Sequence, residues 1–204
     1  MQQRHAGGAQ MQDTIQAAKR AMRGQVRAEL NRLGAPERAA ASAQARARLA
    51  AQPLWQTAQR VLFFASLPEE IDLWPLLTEA LATGRSVALP RFVAETRSYE
   101  ARLIRDPEQD LHAGHFGIRE PTPHCAPLPS ARFDLIFVPG VAFDLQGRRL
   151  GRGKGYYDQL LKVVQGMTCG VGFDQQIVVE IPVAPHDVRL NFILTPTRWV
   201  AVKA

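Results

Sequence analysis

The stretch Gly147–Asp158, GRRLGRGKGYYD, places four glycines, three arginines and a lysine within twelve residues and closes on an acid. Glycines let backbone N–H groups converge on an anion, a helix start adds partial positive charge, and Arg and Lys supply full charges. Such a loop is suited to holding phosphate. It fits neither common phosphate motif. Walker A requires G-x-x-x-x-G-K-[ST], whereas five residues separate Gly147 from Gly153 and Lys154 is followed by Gly155. The dinucleotide pattern G-x-G-x-x-G fails because Tyr156 stands where its third glycine belongs. Asp158 would supply the magnesium ligand that Walker A takes from Ser or Thr, since Mg²⁺ prefers carboxylate and phosphate oxygens. The competing reading is a surface turn. DLQG, Asp144–Gly147, suits a type I turn, and an acid in a first helical turn contributes roughly 0.3–1 kcal/mol without any ligand. Cations crowded at a helix start oppose its dipole unless an anion arrives, which favours the phosphate reading.

A second cationic stripe lies upstream. Lys19, Arg23 and Arg27 are spaced i, i+4, i+8, where like charges cost roughly 0.2–0.5 kcal/mol per pair. The stripe suits either a solvated helix face or a clamp reaching phosphate from a distant segment.

The elements that must position these residues follow from periodicity. Ile15, Ala18, Met22, Val26, Leu30 and Leu33 keep a helical period, with Gly34 as its stop and Pro36 opening a second helix that ends near Pro53. Beyond it, the apolar run at 61–66 and the segments 86–92, 99–104 and 133–140 read as strands. A helix closed by Gly84 lies between the first two, another runs to about Val164, and short strands follow in TCGVGF and FILT. Near-continuous apolar strands alternating with helices predict a mostly parallel sheet flanked by helices on both faces. Ligands of such sheets sit beyond the carboxyl ends of the strands. Four segments fall there: LPEEID, HFGIREP, GRRLGRGKGYYD and FDQQ.

The chain has 204 residues, 46% of them hydrophobic, enough for one substantial core; a single α/β domain over 14–204 is expected behind a disordered extension, 1–13. No apolar run approaches the roughly 20 residues needed to cross a bilayer, and the amino terminus lacks a signal-peptide core, so a soluble cytoplasmic protein is expected. The net charge of +6 permits an anionic partner without identifying it. Cys125 and Cys169 show no metal spacing and suit a reducing compartment. Cys125 follows His124, but adjacent side chains point apart, which argues against a catalytic pair.

FVPGVAFDLQGRRLGRGKGYYDQLL closely resembles the signature of the 5-formyltetrahydrofolate cyclo-ligase family. Further pieces resemble the family in the right order: AKRAMRGQVRAEL its opening Lys/Arg helix, SLPEEID the segment after its first strand, FGIREP its folate-side loop and IPVAPHD its carboxy-terminal Pro/Asp segment. The resemblance implies a single three-layer α/β domain that converts 5-formyltetrahydrofolate and ATP, with Mg²⁺, to 5,10-methenyltetrahydrofolate, ADP and phosphate. It implies that Lys19 and Arg23 meet ATP phosphates, that Arg149, Arg152 and Lys154 surround the triphosphate, and that Gly151, Gly153 and Gly155 offer backbone contacts. Asp158 and Asp187 would hold Mg²⁺, Glu70 would contact the folate, Phe116 would pack on it, Tyr156 would line the reacting centre, and Tyr157 would meet nucleotide or core. Lys154, Tyr156 and Arg149 are the expected catalytic residues. Asn191 departs from the pattern, standing where many members carry an acid. The expected state is a monomer with small-molecule partners, no membrane and no nucleic acid. The alternative is an RNA-binding module using GRGKGYY and the basic surface; a sugar-phosphate isomerase on a similar sheet rests on fold analogy alone.

Overall fold

The computed structural model describes residues 3–114, 117–182 and 188–203. Three helices come first: α1 (Gln3–Leu30), α2 (Ala35–Ala50) and the single turn α3 (Pro53–Thr57). They are followed by β1 (Arg60–Leu62), α4 (Trp74–Ala82), β2 (Ser86–Val93), β3 (Ser98–Ile104), α5 (Pro107–Asp110), β4 (Leu111–Ala113) and β5 (Arg119–Pro121). The last part holds β6 (Arg132–Pro139), β7 (Ala142–Phe143), β8 (Arg149–Leu150), α6 (Tyr156–Val163), β9 (Gln165–Val171), β10 (Phe192–Leu194) and β11 (Trp199–Ala201).

Seven strands form one sheet in the order β11-β10-β9-β6-β1-β2-β3. The five inner strands, β10 to β2, are mutually parallel, and the edges β3 and β11 pair antiparallel. Strand alternation divides the core into two. Val61 and Phe63 face a cluster with Leu49 of α2, Trp55 of α3 and Leu77 of α4, whereas Leu62 faces one with Leu160 and Val164 at α6. The expected mostly parallel sheet between helices is therefore what the chain forms, its inner strands apolar on both faces because both are covered. The chain leaves β1 for β2 on one side and returns to β6 on the other, which makes the gap between the carboxyl ends of β1 and β6 the topological switch point.

Local signals explain most boundaries, and some differ from expectation. Helix α1 is already helical at Gln3, ahead of the Asp13 boundary expected for a disordered extension. Helical bonds are local and need no core, and the Gln, Arg, Ala and Met among those residues tolerate them, whereas each glycine costs about 1 kcal/mol. Gly34 caps the start of α2 rather than stopping α1, with the Glu37 carboxylate accepting from its N–H at 2.7 Å. Pro53, read as a terminator, opens α3 instead, where its missing N–H has no intrahelical partner to lose. The strand expected over 61–66 forms a ladder only to Leu62, although Phe63 still donates to the Ala88 carbonyl at 2.9 Å.

Candidate functional site at the switch point of the sheet

Segments beyond β1 and β6, together with α1, line a cavity of about 230 Å³ at the switch point. Phe64, Leu67 and Glu70 enter from beyond β1, Pro139 and Gly140 from the end of β6, and Lys19 and Arg23 from α1. Arg149 to Asp158 contribute without a break. Three of the four segments read as strand-end candidates thus supply lining residues. The fourth, FDQQ, does not. It forms a 3-10 turn in which buried Gln176 donates to the Gly140 and Val141 carbonyls at 2.7 and 3.1 Å. The reason is steric and polar: the Gln176 amide is spent in holding the backbone under the site.

The long glycine stretch resolves into two parts, and both readings of it apply. Asp144–Gly147 is a turn, joining β7 to β8, with Gly147 donating to the Asp144 carbonyl at 3.0 Å. Fully buried Asp144 knits this turn together: Oδ1 accepts from the N–H groups of Gln146 and Arg148, and Oδ2 from Ile181, each at 3.0 Å. Gly151–Gly155 is the loop that lines the cavity. Gly153 at φ +108° and Gly155 at φ +72° occupy the left-handed region, where a Cβ is strained. Gly155 there caps α6 and aims Tyr156, Tyr157 and Asp158, its first turn, at the cavity.

Charge is concentrated here and partly paired. Buried Arg149 donates through Nη2 to Asp158 Oδ1 at 2.5 Å and through Nη1 to the Pro139 carbonyl at 3.3 Å. Arg23 reaches across from α1 and donates through Nε to the Gly151 carbonyl at 2.8 Å. Burial, then its neighbours Arg27 and Arg20, lower the Arg23 pKa from its ordinary value, as expected where cations crowd together away from water. Arg27 does not line the cavity and is exposed, so the stripe splits between clamp and solvated face. Arg152 bridges to Glu70 at 2.8 Å and to Glu69 at 3.3 Å. Glu70 also accepts from the Leu67 N–H at 3.1 Å, and burial pushes its carboxyl up against the pull of Arg152.

Beside the charges lies an aromatic group. Tyr99 of β3 meets Phe92, Tyr156 and Tyr157 at centroid distances of 6.0, 5.5 and 5.5 Å. Burial foremost, then the Glu120 carboxylate, pushes the Tyr99 phenol up to about 12. Tyr157 packs into both core clusters and under the Arg149 guanidinium at 6.0 Å.

Every expected site residue among those described lines the cavity: Lys19, Arg23 and Glu70, then Arg149, Gly151, Arg152, Gly153, Lys154 and Gly155, then Tyr156, Tyr157 and Asp158. Phe116 and Asp187 lie outside the described residues. Asn191 is not a lining residue. Its Oδ1 accepts from the Thr168 N–H and hydroxyl at 2.9 Å, tying β9 to the start of β10. Sequence reasoning missed Tyr99, Glu120 and Gln16, which also line the cavity. Glu120 stands in FGIREP, a segment already singled out, but no spacing marked it. Both cysteines are buried free thiols, and neither lines the cavity. No described helix is long and apolar enough to cross a membrane.

Known proteins resemble this chain over most of its length. The chain is 32% identical over 197 residues to the 5-formyltetrahydrofolate cyclo-ligase of Mus musculus, covering 89% of this chain and 95% of that protein. It is 32% identical over 159 residues to the enzyme of that name from Escherichia coli K12, covering 76% and 87%. The solved structure of Aquifex aeolicus 5,10-methenyltetrahydrofolate synthetase superposes with a TM-score of 0.80 at 31% identity, covering 91% of this chain and 93% of that one. The sequence profile of the 5-formyltetrahydrofolate cyclo-ligase family matches residues 15–196, a span that takes in all but the first turns of α1, the whole sheet up to β10 and every lining residue of the cavity, and the chain therefore belongs to that family.

Proposed function

We propose that this protein catalyses the ATP-dependent cyclisation of 5-formyltetrahydrofolate to 5,10-methenyltetrahydrofolate, releasing ADP and phosphate. The observation that carries the reading is a single cavity in which Lys19, Arg23, Arg149, Arg152 and Lys154 meet the carboxylates of Glu70 and Glu120. One polyanion and one N–H-rich heterocycle suit that mixture.

The chemistry gives the cations their task. An amide oxygen is a poor nucleophile and hydroxide a poor leaving group. Transfer of the γ-phosphoryl group to the formyl oxygen forms a P–O bond, breaks the bond to ADP and leaves an iminium phosphate. N10 then attacks the formyl carbon, loses its proton, and the C–O bond breaks with departure of phosphate. The protein's contribution is alignment and charge neutralisation. The glycine loop would offer N–H groups to the triphosphate, Lys154 and Arg152 would compensate its charge, and Tyr156 would line the reacting centre.

Magnesium fits the donor set, because it keeps several waters and takes one or two carboxylates with phosphate oxygens, and Asp158 brings a partly exposed carboxylate to the cavity. Asp158 and Asp187 would hold it, and when bound it neutralises the triphosphate. The RNA-binding reading asks for an open cationic track. Here Arg152 is paired to acids and Arg149 is buried, which favours a small anion. The test is to mix protein, Mg·ATP and 5-formyltetrahydrofolate and follow methenyltetrahydrofolate absorbance; no product above the enzyme-free control overturns the reading.

A further inference from the structure

Glu120 is a buried carboxylate held on one oxygen only. It sits in β5, which pairs with β4 so that His112 faces Glu120 and Gly114 follows the ladder. Its relative exposure is 4%. Oε2 accepts from the Phe92 N–H of β2 at 3.2 Å. The backbone of Gly114 closes on the carboxyl from another direction: a Cβ there would stand 2.6 Å from both Cδ and Oε2. Among the described residues, Oε1 has no hydrogen-bond partner, and the residue lines the cavity.

Buried polar groups in folded proteins are almost always bonded, and a buried carboxylate with an open acceptor is costly. The other two acids lining the cavity are supplied, Glu70 by Leu67 and Arg152 and Asp158 by Arg149. No described cation pairs with Glu120. A phosphate would be repelled by it, so its complement is a neutral N–H donor. The proposed substrate brings such donors in the 2-amino-pyrimidinone edge of its reduced pterin.

We infer that Glu120 is a specificity-determining residue, whose Oε1 accepts an N–H from the 2-amino group of the pterin. The inference rests on the folate reading of the cavity. The charge of Glu120 is felt inside that cavity, since it helps to push the Tyr99 phenol up, second to burial.

The test compares wild type, Glu120→Gln and Glu120→Ala. The Phe92 N–H holds an oxygen at the Oε2 position, so the glutamine amide must present its NH₂ where Oε1 stood, donor against donor. The KM for 5-formyltetrahydrofolate should rise about tenfold or more in Glu120→Gln, with the KM for ATP held within about twofold. A 5-formyl analogue lacking the 2-amino group should bind wild type about tenfold more weakly than the parent, and Glu120→Ala should treat the two alike. An unchanged folate KM in both variants overturns the inference. So does a wild type that binds parent and analogue equally, whether or not the variants fold. Failure of wild type to cyclise 5-formyltetrahydrofolate is a separate result and overturns the functional reading itself.

Discussion

The guanidinium of Arg149 and the carboxylate of Asp158 meet at 2.5 Å, closing the two ends of the Gly151–Gly155 loop on each other. The Arg149 side chain is 4% exposed and that of Asp158 23%. The pair is therefore shielded on the cation's side and open on the acid's. Removing one partner of a buried pair strands the other and typically costs about 3–5 kcal/mol. Asp158→Asn keeps the shape and an acceptor oxygen, and partial exposure screens the loss, so about 2 kcal/mol is expected. For a chain of this length that lowers Tm by about 4–8 °C. Cyclisation should fall by at least about a hundredfold if the carboxylate assists phosphoryl transfer. Metal-free ATP, followed by calorimetry, should bind as well as before or tighter, because a negative charge has left a phosphate site. Near-normal turnover would remove Asp158 from the machinery.

Lys154 offers the cleaner separation of chemistry from folding. It is exposed and lies in the glycine loop, and surface substitutions of that kind usually change stability by less than about 0.5 kcal/mol. Lys154→Ala should melt with the wild type while kcat/KM falls by about a hundredfold or more, the scale of losing a preorganised charge at a developing anion. Wild-type turnover in this variant would withdraw the phosphate role from the loop's only lysine.

The tyrosine group makes a prediction about alkaline pH. Burial, aided by nearby acids, raises the Tyr99 phenol to about 12 and places Tyr157 well above the usual range. A phenol raised in the folded state favours the neutral form there. The stability it contributes is complete below its unfolded value near 10 and is lost as pH rises through the folded one. The chain has three tyrosines. Spectrophotometric titration should therefore show no more than one phenolate by about pH 11 in the native protein. Guanidinium should release the other two at ordinary values, and Tm should decline from about pH 10 upward. Three phenols titrating together near 10 in the native protein would contradict the buried placement.

Much of this site was legible because its residues are contiguous. Arg149, the three loop glycines, Lys154, Tyr156 and Asp158 fall in ten residues, and residue type plus spacing expose an anion cradle without a fold. The parallel sheet was legible for a similar reason, since β6 carries the contiguous apolar run Leu135–Pro139. What escaped depends on packing between distant segments. Glu120 becomes distinctive only when β5 pairs with β4 and Gly114 closes on its carboxyl. Three-residue strands carry too little periodicity to announce that hairpin. Gln176 failed in the opposite sense. Its place past a strand end suggested a ligand contact, while its amide is consumed by the Gly140 and Val141 carbonyls. Position relative to a strand end does not distinguish a residue facing the ligand from one supporting the floor.

Asp144 tests that distinction between supporting and contacting residues. It does not line the cavity, yet it is fully buried and receives three backbone N–H groups, two from its own turn and one from Ile181. Alanine there would leave these donors, and the nearby Arg148 guanidinium at 3.7 Å, without their shared acceptor. Each buried donor left unmade costs about 1–3 kcal/mol, and water reaching the exposed side of the turn limits the sum, so about 3 kcal/mol is expected. Tm should fall by about 6–12 °C. Asparagine should restore only part, because the amide satisfies either the turn donors or Ile181 while its NH₂ opposes the other. Below the transition, the folded fraction of Asp144→Ala should keep the KM values for ATP and folate within about twofold, since no interaction with either would be touched. A variant that melts normally would show the turn to be held by other contacts. A selective rise in the KM for ATP would show instead that the turn sets the position of the glycine loop.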